Sequence, residues 1–150
     1  MRREPPEPAL LRPIRPQDIP ACIDVFHDSL DDLYRRLDQP LPPRDPGPMS
    51  RLLQHLLDHD GERAWLAEAP GATAEPDPSA LRGFGAAVQR ERFWFLSLLF
   101  VRPGAQGQGL GRRLLLRTFP TGPTVADDEA ATLAASSDRV PGQLTDGIQP

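Results

Sequence analysis

Nine almost unbroken apolar residues, Phe93–Val101, run into Pro103. Four glycines follow within Gly104–Gly111, and then an apolar repeat at Leu110, Leu114, Leu115 and Phe119. No other stretch constrains the fold as much. The first run reads as a strand covered on both faces, hence a central one. The repeat reads as a helix, stopped by Pro120. The turn between them therefore opens directly onto a helix N-terminus, whose first N–H groups lack intrahelical partners and carry roughly half a positive charge. Glycines allow such donors to close on a bulky anion. A phosphate or pyrophosphate is the expected ligand. Arg112 stands where it can reach that anion. Arg113 and Arg117 read as a solvated helix face, and Gln106 as a residue that can also cap the turn.

The remainder frames this unit. Proline is abundant, at 19 of 150 residues against the usual ~5%. It marks Arg2–Pro20, Pro40–Pro48 and Pro70–Pro78 as loop-rich. Met1–Ala9 is expected to be a flexible lead-in. Leu10, Leu11 and Ile14 suggest a short strand. Behind Asp18 as N-cap, Ile19, Cys22, Ile23, Phe26, Leu30 and Leu33 form one face of a helix, with Asp24, Asp28, Asp31 and Asp32 opposite. Ser50 is expected to cap a second helix with a stripe of Leu52, Leu53, Leu56 and Leu57, ending near Gly61. Ala64–Ala67 and Leu81–Gln89 read as strands, the latter built from small residues that permit close approach. Ala130–Ser137 is expected to be a last strand. The fold class is thus mixed α/β, in the order β-α-α-β-β-β-α-β. The loop-joined strands should be antiparallel and the last strand parallel to the one before the glycines. Residues 10–150 are expected to form a single domain.

Several function classes fall away. All 17 basic residues are Arg, they are scattered, and the net charge is −4, which argues against a nucleic-acid backbone binder. A lone Cys22 makes neither an internal disulfide nor a cysteine-based zinc site. His55 and His59 are four apart, but Leu56 stands where a zincin has Glu, so no metal is expected. The N-terminus lacks a signal-peptide core and no stretch approaches ~20 apolar residues, so a cytoplasmic protein without membrane association is expected. Cys22, Trp65, Phe93, Trp94 and Phe95 read as core.

Among phosphate-binding patterns, the P-loop needs a Lys, which this chain lacks. The dinucleotide fingerprint G-x-G-x-x-G is one residue longer than Gly107-x-Gly109-x-Gly111. The stretch instead resembles the acetyl-CoA loop of the GNAT superfamily of N-acetyltransferases, whose motif is Gln/Arg-x-x-Gly-x-Gly/Ala. Gln106, Gly109 and Gly111 match it in register. Val101-Arg102-Pro103 resembles the Val-x-Pro end of that family's fourth strand, and the element order is similar from Leu10 to Ser137. The resemblance implies that acetyl-CoA is the cosubstrate. Its pyrophosphate would be held by the backbone of Gln106, Gly107, Gln108, Gly109, Leu110, Gly111 and Arg112. Its pantetheine arm would pair with Leu99, Phe100 and Val101 as an added strand. The acceptor would be a small-molecule or peptide amine. The thioester would lie in a splay between the fourth and fifth strands, polarised by a fourth-strand N–H.

Two departures bear on catalysis. The Glu that many members use as base falls near Ser97, and the sole tyrosine, Tyr34, is in the first helix rather than a fourth. The chain also ends where a fourth helix and the last two strands stand in the family, which implies an incomplete C-terminal part. The expectations are therefore ordered: an acetyl-CoA-dependent N-acetyltransferase first, a non-catalytic or vestigial CoA-binding domain second, a nucleotide-binding module third. Asp28, Asp31 and Asp32 read mainly as a solvated face, with attraction of a cationic amine as the sharper alternative.

Overall fold

A computed structural model describes residues 7–120, apart from 73, 74 and 76. Its elements are β1 (Leu10–Pro13), α1 (Ile19–Arg36), α2 (Gly47–Asp60), β2 (Ala64–Glu68), β3 (Leu81–Arg90), β4 (Phe93–Val101) and α3 (Leu110–Thr118), with short 3-10 turns between several of them. The mixed α/β order agrees with the sequence reading as far as α3. The expected strand Ala130–Ser137 lies outside the described residues, as do residues 1–6 of the expected lead-in.

The four strands form one antiparallel sheet in the order β1-β2-β3-β4. Side-chain alternation along β3 and β4 divides the core into two layers. Phe84, Ala86, Leu98 and Phe100 face α1 and α2, packing with Ile19, Cys22, Ile23, Val25, Leu53 and Leu56. Leu99, Val101 and Ala67 face α3, packing with Leu110 and Leu114. Fully buried side chains such as Phe84, Leu53, Leu66 and Leu114 each contribute about 1.5–3 kcal/mol. Between the layers, a Cβ on Gly83 would stand 2.7 Å from the Phe100 carbonyl oxygen and 3.3 Å from Leu114 Cδ1. The small residues of β3 are therefore what lets β4 and α3 close on it.

Four local expectations are corrected. β4 is not central among the described residues; it ends the strand order, and Phe93 and Phe95 are 79% and 68% exposed. The strand covered on both sides is β3, where Leu81 and Gly83–Ala87 are buried. An apolar run reports hydrophobicity, whereas a strand of glycine and alanine is buried because it is thin. Asp18 gives no side-chain cap to α1. Its carboxylate turns back to accept from the Arg15 N–H at 2.8 Å and from both terminal nitrogens of Arg12 at 2.8 and 2.9 Å. Helix α2 starts at Gly47 rather than after Ser50, with Pro48 in the first turn, where its missing N–H costs nothing. Asp45 accepts from the Gly47 N–H at 3.0 Å and fixes that start. Finally, Asp31 is buried on α1, while Leu33 and Leu52 are exposed. Among the described residues no helix is long and apolar enough to cross a membrane.

Candidate functional site

The strand end, the turn and the helix start form one continuous unit. β4 ends at Val101, a 3-10 turn covers Pro103–Ala105, and α3 begins at Leu110 behind Gly109. Gly107 and Gly109 have φ of +81° and +75°, the left-handed region that disfavours any side chain with a Cβ. Neither has a neighbour within 4 Å of the place a Cβ would take. These glycines are thus required by backbone conformation rather than by crowding.

Donors remain at this turn. Ala105 N–H bonds to Arg102 O and Gln106 N–H to Pro103 O, and the next backbone bond of the turn runs from Arg113 N–H to Gly109 O at 3.2 Å. Among the described residues, the N–H groups of Gly107 through Arg112 meet no backbone carbonyl. The turn is clamped from below. Ala105 and Leu110 are buried with Leu114, and the Gln106 side-chain amide donates to Val101 O at 3.1 Å. Gln106, read as a possible cap, ties the turn to the end of β4. Gln108 and Arg112 are exposed.

The strand-side residues divide by parity. Arg102 N–H bonds to Arg82 O on β3 at 2.8 Å, so alternation turns the Phe100 backbone inward and those of Leu99 and Val101 outward. Phe100 is a core residue, its ring edge-on to Phe26 with centroids 5.1 Å apart. The register passes from Ala86↔Leu98 to Ala87↔Leu96, leaving Ser97 as the extra residue of a β-bulge, which splays the ladder locally.

Beneath the turn, Asp28 and Asp31, read mainly as a solvated face, are drawn into an ion-pair cluster with two arginines that the sequence did not link to them. Arg102 donates to Asp28 at 2.5 Å, to Leu81 O at 2.7 Å and to Pro78 O at 2.9 Å. Arg44, from the proline-rich connection, bridges Asp28 at 2.8 Å and Asp31 at 2.5 Å. Partial burial pushes the Asp28 carboxyl up, but Arg44 and Arg102 outweigh it and hold it below the usual carboxylate range. The sequence pointed to Asp28 and Asp31 but not to Arg44, the sole basic residue in a loop of prolines, as their partner. Arg113, read as solvated, is exposed but donates to Ala9 O at 2.8 Å. The His55 and His59 rings lie with centroids 4.2 Å apart, tilted by 33°, and no metal-ligating group of three or more occurs among the described residues.

The sequence matches the profile of the acetyltransferase (GNAT) family over residues 28–119, a span that covers β2 to α3 and the whole turn. An acetyltransferase from Thermus thermophilus shares 31% identity, with 74% of this chain and 67% of that chain covered and a TM-score of 0.51. A proposed acetyltransferase from Pyrococcus horikoshii has a TM-score of 0.57 at 16% identity, covering 79% of this chain but only 36% of that one. A proposed acetyltransferase from Salmonella typhimurium, solved with its cofactor acetyl-CoA, has a TM-score of 0.51 at 17% identity, covering 85% and 66%. The last two similarities speak to fold alone. No curated protein sequence matches the chain. With more than half of its length in the family profile, this chain belongs to the acetyltransferase (GNAT) family.

Proposed function

We propose that this chain binds acetyl-CoA at the turn Gln106–Arg112 and along Leu99–Val101, and transfers its acetyl group to an amine. The observation that carries this reading is the run of N–H groups from Gly107 to Arg112 without backbone partners among the described residues, at a helix N-terminus next to an outward-facing strand edge. A pyrophosphate fits donors of that kind. An amide-rich pantetheine arm fits the Leu99 edge, although Val101 O already accepts from Gln106 and, at 3.5 Å, from Ser29 Oγ.

Acetyl-CoA would supply an activated thioester. In the transfer, the amine nitrogen forms a bond to the carbonyl carbon, the C–S bond breaks, and the sulfur takes a proton, giving an acetamide and free CoA. An outward N–H of β4 would stabilise the charge developing on the carbonyl oxygen. Asp28 is a poor proton acceptor, since its ion pairs lower its affinity for a proton. Ser97 is no base either. Both facts favour a second reading, coenzyme binding without turnover. Thiol release from acetyl-CoA in the presence of a broad amine panel decides between them. Amine-dependent release well above hydrolysis supports transfer, and none from a chain that binds acetyl-CoA supports the second reading.

A further inference from the structure

A cavity of about 420 Å³ lies between α1, Arg44 and residues 102–105. Its carboxylates are already engaged: Asp28 with Arg44 and Arg102, Asp31 with Arg44, and Asp32 with Arg36 at 2.6 Å. Arg35 and Arg82 line the same cavity, and among the described residues neither has an ion pair or a side-chain hydrogen bond. The charge left over for a ligand is therefore positive. A carboxylate whose field is cancelled at contact distance attracts a cation weakly, whereas unpaired guanidinium groups in a concavity favour a carboxylate or phosphate. The position fits a second substrate. The wall Arg102–Ala105 continues directly from the Leu99–Val101 edge, and Ser29, next to Asp28, reaches the Val101 carbonyl.

We propose that this cavity holds the anionic group of the acceptor. The substrate is a small amine that also carries a carboxylate or a phosphate, docked by Arg35 and Arg82. A polyamine or an aminosugar would meet the like charges of Arg35 and Arg82 instead. This inference rests on the acetyl-transfer reading for what the cavity serves.

The test compares matched ligands by titration calorimetry against the acetyl-CoA-saturated chain and against the free chain. L-Phenylalanine against phenethylamine isolates the carboxylate, phosphoethanolamine against ethanolamine isolates the phosphate, and spermidine represents polycations. The acid-bearing member of at least one pair should bind about tenfold or more tightly than its counterpart, a difference of roughly 1.4 kcal/mol. The exposed double substitution Arg35→Gln/Arg82→Gln should erase that preference while leaving the melting curve and the acetyl-CoA affinity unchanged. Equal binding within both pairs, or tighter binding of spermidine, overturns the proposal. So does a double variant that loses acetyl-CoA affinity but keeps the amine preference, since the arginines would then serve the coenzyme. If acetyl-CoA fails to bind the unaltered chain, the acetyl-transfer reading falls, and the paired ligands on the free chain still decide whether the cavity selects an anion.

Discussion

At Gly109 a single dihedral joins the conformation of the turn to its proposed coenzyme site. Its φ of +75° costs a residue with a Cβ about 1–2 kcal/mol, and a branched side chain there also stands among the free N–H groups. Gly109→Val is expected to lower stability by that amount and to weaken acetyl-CoA binding at least tenfold by calorimetry. Gly111 has a helical φ and an ordinary 3.7 Å contact for an added Cβ, so Gly111→Ala should fold at least as stably as the parent. The sequence motif marked both glycines alike, and only the backbone separates them. Asp18 offers a second test. It is 2% exposed. Burial pushes its carboxyl up, but hydrogen bonds from Arg12 and Arg15 together prevail and hold it at about 2. Because this value lies below that of an unfolded aspartate, the stability it contributes is complete above pH ~4 and is lost as pH falls towards ~2. Asp18→Asn should therefore be less stable near neutrality, by about 2 kcal/mol, with the gap to the parent closing in acid denaturation. Nothing in the sequence told this aspartate from an ordinary N-cap, since its partner Arg12 lies upstream on β1. Cys22 was legible. It is fully buried, and burial pushes its thiol up to about 12, so native-state alkylation should be negligible.

Among the elements, those with a clean period could be read and those defined by contact could not. The helical repeats of α1 and α3 and the strand β4 stand where periodicity puts them. The rank of strands in the sheet did not follow, because β3 owes its burial to glycine and alanine. That makes β3 the sensitive element. Gly83→Ala places a methyl group 2.7 Å from the Phe100 carbonyl oxygen, backbone that cannot move aside without parting β3 from β4. A loss of about 1–3 kcal/mol is expected in denaturant unfolding, with a drop in acetyl-CoA affinity because the displaced strand carries Leu99 and Val101. An unchanged melt would mean that the two strands have more room than the register implies. The Asp28–Arg44–Arg102 cluster is likewise a product of contact, gathering residues 16 and 74 apart in sequence.

For the described part of the molecule, the proposed site lies where three layers end together: α1 and α2 on one face, the sheet, and α3 on the other. A phosphate-binding turn alone is compatible with several nucleotide ligands. What narrowed it in the sequence was the register of Gln106, Gly109 and Gly111 behind a strand ending in Val-x-Pro. The structure adds the free N–H groups and the outward edge of Leu99. The charge of the proposed acceptor cavity was not legible, because it depends on which arginines are paired. The central claim, that the turn binds acetyl-CoA, is tested most directly by thermal unfolding with and without that ligand, using NAD and ATP as controls. At 100 times its dissociation constant acetyl-CoA should stabilise the fold by about 2.7 kcal/mol and raise the midpoint by roughly 2–8 °C, with neither control doing so. A cooperative melt that acetyl-CoA leaves unmoved, or that NAD or ATP raises equally, would contradict it.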